Sequence, residues 1–145
     1  MQARRGIAAL CAAAALAAPP PAAAAEEEIG ARLSIELNTA RSVEGDCELS
    51  FLAINGHARD VEAAVFEAVL FDAEGRVERL TLLDFGALPA GRPRVRQFVL
   101  PETTCEGLGE VLFNGATECA VGDLGPAACT DGLELRSRAD IGVIG

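Results

Sequence analysis

Residues 68–82 read AVLFDAEGRVERLTL, and the fold turns on whether they end a helix or bend into a hairpin. The helical reading starts at Asp60, a suitable N-cap, and takes Val61, Val65 and Val69 at i, i+4 and i+8 as one apolar stripe. The alternative follows a period of two. Ala64, Phe66, Ala68 and Leu70 then share one face, Val65, Val69 and Phe71 the other, as in a central strand covered on both sides. The neighbours decide it. Asp72-Ala73-Glu74-Gly75 supplies a turn with glycine where a positive φ is needed, and no helix cap follows in RVERLTL. The stretch is therefore read as two strands joined at Ala73-Glu74-Gly75.

The remaining chain follows the same grammar. RLSIEL alternates Leu33, Ile35 and Leu37 with polar residues, and CELSFLAIN places Cys47, Leu49 and Phe51 on one side before Asn55-Gly56 breaks it. NGHARD is read as a loop. The turn-rich LLDFGALPAGRP leads to RVRQFVL, which Pro101 ends. GEVLFNG and GLELRSRA supply the last two runs, giving seven strand-like segments punctuated by Gly, Pro and Asn. This pattern predicts an all-β fold, an antiparallel sandwich of about seven strands. All six phenylalanines, Phe51, Phe66, Phe71, Phe85, Phe98 and Phe113, fall in or near these runs and are assigned to the core.

Residues 1–25 have the layout of a secretory signal peptide: Arg4-Arg5, an apolar run from Ile7 to Ala18, and Ala23-Ala24-Ala25 before three glutamates. The run is too short for a membrane span of about 20 residues. Arg4-Arg5 also admits a twin-arginine route, though the general secretory route is favoured. A single domain over residues 26–145 is expected, in the periplasm or outside the cell. Of 12 basic residues two lie in the leader, leaving 10 against 22 acidic side chains, a net charge of −12. Such a chain does not suit nucleic acid or an anionic membrane surface as partner.

Beyond the leader there are four cysteines, Cys47, Cys105, Cys119 and Cys129, an even number in a chain sent to an oxidising compartment. Of the three possible connectivities, Cys119 with Cys129 around a short Gly- and Pro-containing loop is favoured, which leaves Cys47 for Cys105. In the chain-entropy picture the longer loop contributes about 4 kcal/mol and the shorter about 2.5–3 kcal/mol. No C-x-x-C spacing occurs and His57 is the only histidine, so no metal site or cofactor is expected.

The elements Asn55, Phe71-Asp72 with Gly75, and Pro89-Ala90-Gly91 with Phe98 resemble the immunoglobulin-like FxLYD-type sandwich domains of exported bacterial proteins. Over about residues 31–138 the chain is also similar to a group of small exported bacterial proteins with twin-arginine-like leaders. These share an LFDxxG turn, an LPAG turn, a VLFN-like strand and four cysteines. Ala68 stands where the FxLYD pattern has its first aromatic. The resemblance implies a fold and a compartment but no activity.

No serine sits in a G-x-S-x-G elbow, the acidic pairs Asp72 with Glu74 and Asp123 with Asp131 read as solvated turns, and His57 is placed in a solvated turn. The leading expectation is a non-catalytic module, protein-binding or structural, whose partner is another exported protein. Its C-terminal residues Ile141, Val143 and Ile144 are the candidate partner-binding tail, as a strand offered for β-augmentation. The competing expectation is a metal-handling or thiol-redox protein that uses Cys119, Cys129 and His57.

Overall fold

The computed structural model describes residues 29–145. The leader read in residues 1–25 lies outside the described residues. Eight strands occur among them: β1 (Leu33–Val43), β2 (Asp46–Asn55), β3 (Ala63–Asp72), β4 (Val77–Asp84), β5 (Arg94–Leu100), β6 (Leu108–Ala120), β7 (Glu134–Ser137) and β8 (Gly142–Ile144). They form two four-stranded sheets, β5-β2-β1-β7 and β4-β3-β6-β8. Strands β1, β2 and β5 lie opposite β3, β4 and β6, the distribution of an immunoglobulin-like sandwich.

Residues 68–82 do form a hairpin, with Val69 opposite Leu80 and Phe71 opposite Val77. Gly75 takes φ 79°, the left-handed conformation that an unbranched backbone tolerates. Asp72 organises the turn: its Oδ1 accepts the backbone N–H groups of Glu74 (3.0 Å) and Arg76 (2.9 Å), and its Oδ2 accepts Arg76 Nε. These bonds, led by the Arg76 backbone N–H, stabilise the ionised form and hold the Asp72 carboxyl below its ordinary value. Asp60 caps no helix. Its Oδ1 accepts the N–H of Ala90 at 2.8 Å, pinning the Pro89-Ala90-Gly91 turn.

The sandwich is antiparallel except at its last two strands. The expected all-antiparallel arrangement is corrected at one edge of each sheet, where β7 pairs parallel to β1 and β8 parallel to β6. Both strands are short and come last in the chain, so each settles beside a strand already paired on its other side. The eighth strand is the C-terminal tail itself, which had no turn signal to announce it.

Alternation fills the space between the sheets. Leu33, Ile35, Leu37, Leu49 and Phe51 of the first sheet meet Ala64, Phe66, Ala68, Leu70, Val111 and Phe113 of the second. Five phenylalanines, Phe51, Phe66, Phe85, Phe98 and Phe113, cluster with ring centroids 5.2–6.1 Å apart. Phe71 is the exception to the core assignment. It follows Leu70, which points inward, and so the pleat turns it to the outer face. Both favoured disulfides are present, Cys47–Cys105 between the start of β2 and the segment entering β6, and Cys119–Cys129 between the end of β6 and the 3₁₀ turn Pro126–Cys129.

Candidate functional site

The loop after β2 is a structural node and not the solvated turn expected for His57. Asn55 is fully buried, and every polar atom of its side chain is used. Its Nδ2 donates to the carbonyls of Arg59 (2.8 Å) and Leu88 (2.9 Å), and its Oδ1 accepts the His57 N–H (2.9 Å). Held this way, His57 folds inward, is only 7 % exposed, and brings Nε2 to 2.8 Å from the carbonyl oxygen of Ala128. It thus lies beside the Cys119–Cys129 staple, as the metal or redox expectation required. Cys119 and Cys129 are joined to each other in a disulfide, and the ring nitrogen is bonded to the backbone. Among the described residues no group of three or more His, Cys, Asp or Glu is placed to hold a metal ion.

The candidate partner-binding tail is also placed differently. Ile141 is buried in the core, Val143 packs against the same core opposite Val111, and only Ile144 points outward. The tail is a strand, but it augments its own second sheet. Its apolar residues gain more by covering Val111 and Phe113 than by remaining in water.

Docking the tail completes a surface that alternation alone did not reveal. Leu80 on β4 stands opposite Val69 on β3, Val69 opposite Leu112 on β6, and Leu112 opposite Ile144 on β8. Since Leu70, Val111 and Val143 point inward, these four side chains form one apolar row across the whole outer face of the second sheet. Leu80 is 55 % exposed and Ile144 43 %, while Val69, outside the core cluster, is reduced to 7 % by its neighbours. Leu82 and Val77 extend the patch on β4, and Phe71 extends it on β3.

Carboxylates border the row. Glu67 pairs with Leu82, Val65 lies between Asp84 and Glu118, and Glu110 stands next to Phe71. The Glu110 side chain reaches across Gly142, at whose position an added methyl would meet Oε2 at 2.9 Å. Among the described residues no arginine forms an ion pair with Glu67, Asp84, Glu110 or Glu118. The signal for this face was present in the sequence as apolar residues of both parities in β3 and β6, and as Leu80 and Leu82 out of phase with Leu83 and Phe85.

A cavity lies beside the link between β7 and β8, lined among others by Asn38, Thr39, Cys105, Arg138 and Asp140. It opens where β1 bulges between Leu37 and Thr39, and Arg138 is engaged there by Glu36. No family model, curated protein or solved structure matches this chain. Among the described residues no helix is long and apolar enough to cross a membrane.

Proposed function

We propose that this is an exported, non-catalytic β-sandwich module that binds another exported protein through the outer face of its second sheet. The observation that carries the reading is the apolar row Leu80–Val69–Leu112–Ile144, continuous across four strands and left open to solvent at both ends. Contiguous apolar surface of this kind, rimmed by polar groups, is costly in water and marks interaction sites. A periplasmic or secreted location agrees with the two disulfides, which persist in oxidising compartments.

The test is site-specific photo-crosslinking in the intact exporting cell. A crosslinking residue at position 80 or 112 is expected to trap one defined protein, while the same residue at position 97, on the outer face of the first sheet, traps none. Equal yields from positions 80 and 97 would end the reading. Sequencing the N-terminus of the purified protein checks export, with Glu26 as the expected first residue.

A further inference from the structure

We infer that the occupant of this face is a basic amphipathic helix, about three turns long, laid across the strands along the row Leu80–Val69–Leu112–Ile144. The inference rests on the preceding reading of the face and adds the chemistry of the partner.

Length comes first. Four adjacent strands about 4.8 Å apart put the ends of the row about 14 Å from each other. A helix rises about 1.5 Å per residue, so about ten residues span that distance. An extended strand would follow β3 and β6 and leave the row after one or two side chains, because its contacts repeat along the strand direction and the apolar residues here repeat across it.

Charge comes second, and it is found on both flanks. On one side lie Glu67, Asp84 and Glu118, on the other Glu110, so a ligand needs cations on both borders of its apolar stripe. An amphipathic helix with arginine or lysine beside its apolar stripe has that arrangement, and the long stems of those residues cover apolar surface while their charged heads reach the carboxylates. A strand or flat surface would meet one flank more readily than two. None of these carboxylates has an arginine partner among the described residues: Glu67 accepts one bond from the Asn114 amide at 2.6 Å and Asp84 one from the Gly86 N–H at 2.8 Å, so their charge is left uncompensated for a cationic ligand.

The same charges argue against a second copy. A face-to-face dimer would set the four carboxylates of each chain against four more, in a protein of net charge −10. An anionic lipid surface is opposed for the same reason.

Two synthetic fourteen-residue helical peptides make the probe, alike in their leucine stripe and differing in carrying arginine or glutamate on both borders. Titrated into isotopically labelled protein, the arginine peptide is expected to shift the amide signals of Val69, Leu80, Leu112 and Ile144 and to bind at least about tenfold more tightly than the glutamate peptide. Adding salt from low to about 0.3 M should weaken it several-fold. The combined variant Glu67→Gln, Asp84→Asn, Glu110→Gln and Glu118→Gln should remove the preference between the peptides without changing the thermal midpoint by more than a few degrees.

Equal binding of both peptides at this face would overturn the basic-helix inference and leave the face reading standing. Shifts confined to the first sheet, or no shifts with either peptide, would overturn the inference. So would a dimer seen by sedimentation that Leu80→Arg dissolves, since the face would then belong to a second copy.

Discussion

The two outer faces of the sandwich are built on the same pleat but dispose of their charge in opposite ways. On the first sheet Glu48 meets Arg41 at 2.7 Å, Glu36 meets Arg138 at 2.8 Å, and Glu134 meets Arg136, while Gln97 bonds Ser50 across the strands. On the second sheet Asp72 at the hairpin turn is paired with Arg76, but Glu67, Asp84, Glu110 and Glu118, which border the apolar row, are answered by no arginine of the described residues. The first face still exposes Val95 and Val99 at its β5 edge, but its charges are matched internally. A face that keeps an apolar row open between carboxylates without cationic partners gives up a little solubility and some stability, which is the feature the proposed binding role rests on.

That contrast holds only if both sheets belong to one cooperative unit, and the disulfides test this with the largest effect. Replacing Cys47 and Cys105 together by alanine should lower unfolding stability by about 4 kcal/mol, and replacing Cys119 and Cys129 by about 2.5–3 kcal/mol. In both cases urea unfolding followed by circular dichroism and by one-dimensional NMR should remain a single transition. Separate transitions would mean that the two faces sit on independently stable layers.

Next in size is the tail, where inner and outer residues differ most sharply within one short strand. Ile141→Ala should cost about 2–4 kcal/mol, as for a buried core side chain, whereas Ile144→Ser should stay within about 0.5 kcal/mol. Chemical denaturation of the two variants checks both values. A large cost at Ile144 would make its exposed side chain part of the fold and not of the face.

Smaller still are the charges themselves. Glu48→Ala should lose up to about 1 kcal/mol, less at high salt, because it strands a partly exposed arginine pair. Glu118→Ala should be neutral or slightly stabilising, since it relieves repulsion in an acidic border. A loss at Glu118 equal to that at Glu48 would erase the difference between the faces.

The hairpin turn gives the smallest effect, and one with a pH signature. The carboxyl of Asp72 titrates below its ordinary value of 3.8 in the folded protein, so its contribution is complete above that value and disappears as pH falls through the lower folded value. The thermal midpoint of Asp72→Asn should therefore lie below that of the parent at neutral pH and converge on it under acid conditions. A constant gap at all pH values would assign the whole effect to hydrogen-bond geometry.

Much of the fold was legible because its determinants are local. The turn at Asp72 to Gly75, the alternation in β1 and β2, and the short spacing of Cys119 and Cys129 can each be read within a dozen residues. Asn55 and His57 were not legible as a node, because their partners Leu88 and Ala128 stand 33 and 71 residues away. The face was half legible. A period of two separates the residues of β4 into two sets, but it does not say which set meets the core. Leu83 and Phe85 take the inside, which sends Leu80 and Leu82 out. The parallel docking of β8 left no local trace at all, since a strand that settles beside a distant neighbour needs no tight turn.

The node at Asn55 also bears on how the protein ages. Asparagine followed by glycine is the dipeptide most prone to lose its amide as ammonia, by attack of the glycine nitrogen on the side-chain carbonyl. Here the Gly56 N–H is tied to the Arg32 carbonyl at 2.9 Å, and the Asn55 amide donates to two further carbonyls. Neither reacting group can rotate into place while the loop is closed. Each excursion to the open chain frees both, and a resulting aspartate would set a carboxylate against the two oxygens that the amide had served. The closed loop thus protects against a chemical lesion from which the chain could not easily refold.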